Sequence, residues 1–239
     1  MVDAELAEAL VHGAEPASGL PETTPFNADM VNVEDIVGDG DGVYVAVLDT
    51  GLLPPAPFFF SQAHVAWDLG KGFSHDVYWD ESIGESGGIG ISPVRDDRGY
   101  WTELASGHGT HVASTVVGYN FNGGEWIRGI APKATLIPVL VLDAWEVDSP
   151  DGTLRLSGGT NEMISEGIRY VADLTDILDG RVVINMSLGG PTRSAMIEEA
   201  VDYAISKGVI VVVSAGNSGT DGMGYPGGLP QVISAAAAG

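Results

Sequence analysis

The run Val43-Tyr44-Val45-Ala46-Val47-Leu48-Asp49 decides how this chain folds. From Val43 to Leu48 it is apolar and rich in valine, and it is bounded by Gly42 and Gly51. A strand with one wet face alternates apolar and polar residues, whereas a strand covered on both faces reads as an unbroken apolar run, so this segment belongs inside a parallel sheet. It delivers a carboxylate, Asp49, at its C-terminal end. The glycine-rich Gly38-Asp39-Gly40-Asp41-Gly42 comes before the strand. A phosphate-binding loop must follow a strand and open a helix, so dinucleotide binding is rejected here.

Working outward, Ala134 to Leu142, Arg181 to Met186 and Val209 to Val213 read as three more buried strands, with Pro138 marking an irregularity in the first. Helical spacing falls between them. A short helix runs from Thr110 through Val112, Ala113, Val116 and Val117 to a stop at Gly118. A second, capped by Asn161, aligns Met163, Ile164, Ile168, Val171, Leu174 and Leu178 and ends at Asp179-Gly180. A third spans Ser194 to Lys207, with Met196, Ile197, Ala200, Val201, Ala204 and Ile205 facing inward and Gly208 as its stop. Strands separated by helices of this length predict an α/β fold, a doubly wound parallel sheet flanked by helices. In such sheets ligands bind beyond the carboxyl ends of the strands, where Asp49, Ser187 and Ser214 to Asn217 emerge. Residues 1–30, with Pro16, Pro21 and Pro25, read as an N-terminal arm or leader remnant. Residues 52–105 show no periodicity, as in an insertion or functional loop, and Asp143 to Gly159 reads as a polar connection.

Composition bounds the function. With 239 residues and 44% of them hydrophobic, the chain can bury one sizeable core. No apolar stretch reaches the roughly 20 residues of a membrane span. The apolar patch at Ala7 to Val11 sits among Asp3, Glu5 and Glu8 rather than the positive charge of a signal peptide, so no targeting segment is read. Cysteine is absent, which excludes disulfides and thiolate chemistry. A balance of 33 acidic against 10 basic residues, net charge −23, repels phosphate backbones and anionic membranes, so neither is expected as a partner. Lys71, Lys133 and Lys207 are the only lysines. That surface suits high salt or bound divalent cations, and equally an ordinary acidic soluble protein. His64 and His75 lie near Asp68, Asp76, Asp80 and Glu81, but the spacing matches no zinc pattern, and a solvated loop is the preferred reading.

The segment Ser106-Gly107-His108-Gly109-Thr110-His111-Val112 places an imidazole where a loop becomes a helix, a setting suited to a general base. Together with Val47-Leu48-Asp49-Thr50-Gly51, with Asn185-Met186-Ser187-Leu188-Gly189-Gly190, and with Ser214-Ala215-Gly216-Asn217, it resembles the subtilisin-like serine proteases (subtilases, peptidase family S8) in that family's own order. The resemblance covers roughly 31–51 and 104–239. Residues 31–239 then read as the N-terminal portion of a peptidase domain with a long insertion at about 52–103. It implies that Asp49 orients and stabilises the imidazole, His108 acts as base and then acid, and Asn217 donates to the oxyanion. It further implies that Ser187, Leu188, Gly189 and Gly190, with Ser214, Ala215 and Gly216, wall the substrate pocket. Leu156, Ser157, Gly158 and Gly159 would pair with extended substrate backbone. The partner implied is a polypeptide, no cofactor is required, and the family's usual setting is extracellular. Calcium is a common structural ion in the family, but Leu52-Leu53-Pro54-Pro55 stands where an acidic ligand is expected. Asp49-Thr50-Gly51 also matches aspartic proteases; those need two such carboxylates sharing a proton, and no second motif occurs. Asn185-Met186-Ser187 fits a glycosylation sequon, but lies on a buried strand.

One departure matters. The family's nucleophile sits in a Gly-Thr-Ser-x-Ala segment opening a later helix, and no such segment occurs here. The expectation is a truncated member or one piece of a chain, incomplete at the C-terminus of the fold. It would be a serine endopeptidase whose serine lies beyond this chain, with the 239 residues alone inactive. The alternatives are an inactive peptide-binding homologue, or a fragment that needs a complementary C-terminal segment.

Overall fold

The computed structural model describes residues 22–53, 59–102, 104–121, 125–219 and 222–237. The expected arm at 1–30 therefore lies largely outside the described residues. A seven-stranded sheet forms the centre: β1 (Val43–Asp49), β2 (Lys71–Ser74), β3 (Arg95–Arg98), β4 (Thr135–Leu140), β5 (Arg181–Met186), β6 (Ile210–Ser214) and β7 (Ile233–Ala235). Their spatial order is β7-β6-β5-β1-β4-β2-β3, parallel throughout except for the antiparallel edge strand β3. The longer helices among the described residues are α1 (Gly107–Val117), α2 (Asn161–Leu174) and α3 (Ala195–Ser206). This is the doubly wound α/β architecture that the apolar runs predict.

The unbroken apolar run of β1 has its cause in this layering. Side chains alternate across a strand, so Ala46 and Leu48 join Ile137, Val139, Ile184 and Met186 against Met163, Ile168 and Val171 of α2 and Ala200 and Val201 of α3. Val45 and Val47 point the other way and pack with Leu136 against Ala113 and Val117 of α1. Each fully buried Val, Leu or Ile here contributes about 1.5–3 kcal/mol of hydrophobic free energy. By the same alternation Asp49 lies on the α1 side.

Several boundaries differ from the expectations. Thr160, not Asn161, caps α2: its hydroxyl accepts the Met163 N–H at 3.1 Å, and Asn161 is already helical. That helix closes at Leu174, where the Thr175 hydroxyl donates to the Ala172 carbonyl, and a turn continues to Leu178. Helix α1 begins at Gly107 rather than Thr110, so His108 sits in its first turn, and it stops at Gly118 with φ +82°. Pro138 does not break β4. The strand pairs with β1 without interruption from Thr135 to Leu140. On its other side, Leu136 accepts from the Ala66 N–H, and pairing with β2 resumes at Val139. The missing proline donor falls in that gap.

The segments read as irregular carry strands. β2 and β3 extend the central sheet, and Val77–Asp80 pairs antiparallel with Gly88–Ile91. Asp143–Ser149 and Gly152–Gly158 form a hairpin rather than a polar connection, with Trp145 opposite Leu156 and Val147 opposite Leu154. Nor is His75 on a solvated loop: it is 2% exposed and hydrogen-bonded at both ring nitrogens. Asp76 is taken up by Arg95 and Arg98. Among the described residues no group of His, Asp and Glu is arranged to hold a metal ion, and no helix is long and apolar enough to cross a membrane.

Candidate active site

Three neighbouring parallel strands end in register. Val47 pairs with Asn185, and Asn185 with Val212, so Asp49, Ser187 and Ser214 fall two residues further along β1, β5 and β6. With strands about 4.8 Å apart, these residues line one edge of the sheet.

Asp49 is wholly buried. Its Oδ1 accepts the Thr50 N–H at 2.7 Å and lies 2.7 Å from His108 Nδ1. An ionised carboxylate only accepts hydrogen bonds, so Nδ1 carries the proton and Nε2 keeps its lone pair. The His108 side chain is 55% exposed while Asp49 is 0% exposed, so the pair runs from the interior to the surface.

Helix α1 is fastened to the turn after β1 by contacts that hold this geometry. Ser106 Oγ donates to the Thr50 carbonyl at 2.8 Å and accepts the Thr102 N–H at 2.7 Å. The Gly109 N–H donates to Thr50 Oγ1 at 2.8 Å, and the Leu53 N–H to Thr110 Oγ1 at 2.9 Å. Glycine is required at two points of closest approach. A Cβ on Gly109 would stand 2.3 Å from the Gly51 carbonyl oxygen, and one on Gly51, whose φ is +77°, would stand 1.9 Å from the Tyr100 carbonyl oxygen. Thr50, Ser106 and Thr110 are thus site residues that the sequence reading quoted within motifs but gave no role.

The remaining candidates divide. Gly158, Gly159, Leu188, Gly189 and Gly190 come together around a cavity of about 390 Å³, floored by Leu142, Ile164, Ile197 and Leu229. Leu156 and Ser157 instead line a smaller hollow of about 190 Å³ with Leu104, Trp145 and Arg155. Ser187 Oγ accepts from Asn185 Nδ2 at 3.1 Å. Ser214 Oγ donates to the Leu188 carbonyl at 3.0 Å, tying the exits of β5 and β6 together. Gly190 and Tyr225 exchange backbone hydrogen bonds of 2.8 Å, and the Ala215 N–H donates to the Ala235 carbonyl at 2.7 Å. Gly216 turns with φ +90° and leads to Asn217, which is exposed. A carboxylate-anchored imidazole can take a proton from a nucleophile attacking a bound acyl group.

The subtilase family (Peptidase_S8) matches residues 40–239. Subtilisin of Bacillus sp. (strain TA39) is 33% identical over 200 residues, covering 83% of this chain and 40% of that relative. Subtilisin BL of Lederbergia lenta is 34% identical over 187 residues, covering 78% of this chain and 52% of that relative. The chain thus spans about half or less of the length of these relatives. Among solved structures, S41 psychrophilic protease superposes with a TM-score of 0.60 at 30% identity, over 90% of this chain and 60% of that one. Sphericase superposes with a TM-score of 0.58 at 29% identity, over 88% and 59%. With a match over most of its length, and with the fold of those proteases, the chain belongs to the subtilase family.

Proposed function

We propose that this chain supplies the acid–base pair and the peptide-binding floor of a subtilisin-like serine endopeptidase. The observation that carries the reading is the 2.7 Å contact from wholly buried Asp49 to half-exposed His108. Asp49 fixes the imidazole tautomer and stabilises the imidazolium. His108 Nε2 removes the proton of the attacking serine hydroxyl and returns it to the leaving amine. The Asn217 amide donates to the oxyanion, a contribution worth about 10²–10³ in kcat for the equivalent donor of subtilisin itself. The reaction needs a serine nucleophile presented to His108 Nε2, and no Gly-Thr-Ser-x-Ala segment occurs within residues 1–239. Nucleophile, base and oxyanion donor are all protein groups, so the chemistry needs no cofactor. The substrate is a polypeptide in extended form, its backbone along Leu156 to Gly159 and a side chain in the glycine-walled cavity, and the setting is extracellular.

The test is hydrolysis of casein and a fluorogenic peptide by the polypeptide expressed with the coding sequence that follows Gly239 in its gene. His108→Ala is expected to remove activity by a factor on the order of 10⁶, the size of the same loss in subtilisin. Asn217→Ala is expected to reduce kcat by about 10²–10³. Wild-type turnover that survives in His108→Ala overturns the reading. An extended protein that binds peptide without cleaving it supports the inactive peptide-binding alternative.

A further inference from the structure

The hairpin formed by Asp143–Ser149 and Gly152–Gly158 carries the proposed peptide-binding edge, and its base is held by Ser74, the last residue of β2, and His75, which follows it. At its base Asp143 pairs with Gly158. Ser74 Oγ donates to Asp143 Oδ2 at 2.5 Å, and Asp143 Oδ1 accepts the Ala144 N–H at 2.8 Å. The next residue, His75, is buried and makes three contacts of its own. Its Nδ1 lies 2.7 Å from the Ser92 carbonyl, so that nitrogen carries the proton, and Nε2 is left to accept from Thr160 Oγ1 at 2.9 Å. Its carbonyl accepts the Trp145 Nε1–H at 2.9 Å. The Thr160 hydroxyl therefore works twice, donating to His75 and accepting the Met163 N–H that caps α2.

Gly158, the last residue of the hairpin, and Gly159 lead into Thr160, and both line the 390 Å³ cavity. Glycines lose more freedom on ordering than any other residue; Gly159 lies against the Val141 carbonyl, where a Cβ would stand 2.4 Å away, whereas Gly158 must take its position from its flanks. Gly158 has φ +137° and open space where a Cβ would be. Its anchors are the Asp143 pairing on one side and Thr160 on the other.

We infer that His75 is a positioning residue for substrate: through Thr160 and Trp145 it presets the Gly158-Gly159 wall, so that an extended peptide meets an already ordered edge. Pre-set edges bind better because less ordering accompanies association. The inference rests on the peptidase reading above, and its consequence falls on substrates long enough to reach that edge.

The experiment compares wild type with His75→Leu and Thr160→Val, which remove the link from either end. His75→Gln and Thr160→Ser retain a polar partner. The protein carries the coding sequence that follows Gly239. Kinetics are read on a peptide that fills the cavity and on a short ester that reaches only the scissile bond, and amide hydrogen exchange is read over Leu154 to Thr160. Both link-breaking variants are expected to raise KM for the long peptide about tenfold while leaving kcat, and the short ester, within about twofold. Exchange at Gly158 and Gly159 should quicken in the same two variants, and His75→Gln and Thr160→Ser should stay near wild type. Because Thr160 is partly exposed, its valine variant guards against a result that reflects only disruption around buried His75. Equal losses on long and short substrates overturn the inference, as does exchange that keeps the wild-type rate in both variants. A wild type that cleaves nothing while exchange still responds counts against the peptidase reading and leaves the His75 link standing.

Discussion

At the scale of single residues, the geometry depends on how closely the first turn of α1 lies against the Thr50-Gly51 turn. The Gly109 N–H is bonded to Thr50 Oγ1, and the position of its absent Cβ is 2.3 Å from the Gly51 carbonyl oxygen and 3.0 Å from the Gly51 nitrogen. Both obstacles are backbone, so a methyl group there must push the helix away. His108 moves with the helix, whereas Asp49, wholly buried at the end of β1, cannot follow. Displacements of about 1 Å in a catalytic pair cost on the order of 10² in rate. Gly109→Ala is accordingly expected to lower kcat of the serine-bearing protein by about 10² or more, with KM little changed because the peptide edge is untouched. Steady-state kinetics on a fluorogenic peptide check this, and a kcat within twofold of wild type would show that α1 has room to shift.

At the scale of elements, the outer edge of the sheet is held differently from its centre. β2 and β3 are four residues each, and ion pairs join their surroundings: Lys71 to Asp96 at 2.9 Å, and Asp76 to Arg95 and Arg98 at 2.7 Å. The hydrogen bond from Arg95 holds the Asp76 carboxyl below the usual carboxylate range; partial burial opposes this, and the charges of Arg95 and Arg98 add to it. A depressed carboxylate pKa stabilises the fold above the unfolded value near 4, and that contribution fades as pH falls through the lower folded value. Asp76→Asn should therefore lower the melting temperature by a steady amount from about pH 5 to 8, with the gap to wild type closing below about pH 4. A gap that does not narrow as pH falls below 4 would place the effect in packing rather than charge. These edge elements were also the least legible in the sequence. β1 announces itself as an apolar run because helices cover both its faces. β2, Lys71-Gly72-Phe73-Ser74, is too short and mixed to show a period. The hairpin did leave a signal, in the Pro150-Asp151-Gly152 turn and the alternation of Trp145 and Val147 with Glu146 and Asp148, which the charged residues obscured. Asp49 and His108 were readable as motifs, but the Ser106 to Thr50 bond joins residues 56 apart through a backbone carbonyl. Such a contact writes no periodic pattern.

At the scale of the whole molecule, charge acts against compaction. Lys71, Arg95, Arg98, Arg128, Lys133, Arg155, Arg193 and Lys207 each hold a carboxylate partner, so little of the basic complement is free to offset the rest of the 33 acidic residues. Added salt has two opposing effects. It weakens the exposed ion pairs, individually worth little, and it screens the mutual repulsion of the unpaired carboxylates. Repulsive pairs far outnumber attractive ones at a net charge of −23, so screening wins. The melting temperature should rise as KCl goes from 0.05 M to about 1 M, the interval over which the Debye length contracts from more than 10 Å to about 3 Å. Reversing two exposed carboxylates that hold no ion pair, with Glu81→Lys and Glu85→Lys, should raise the melting temperature at low salt and flatten its dependence on KCl. Scanning calorimetry across the series decides between the two effects. A melting temperature that falls with salt would mean that the ion pairs at the β2–β3 edge outweigh the net charge, and the charge-reversed variant would then gain nothing at low salt.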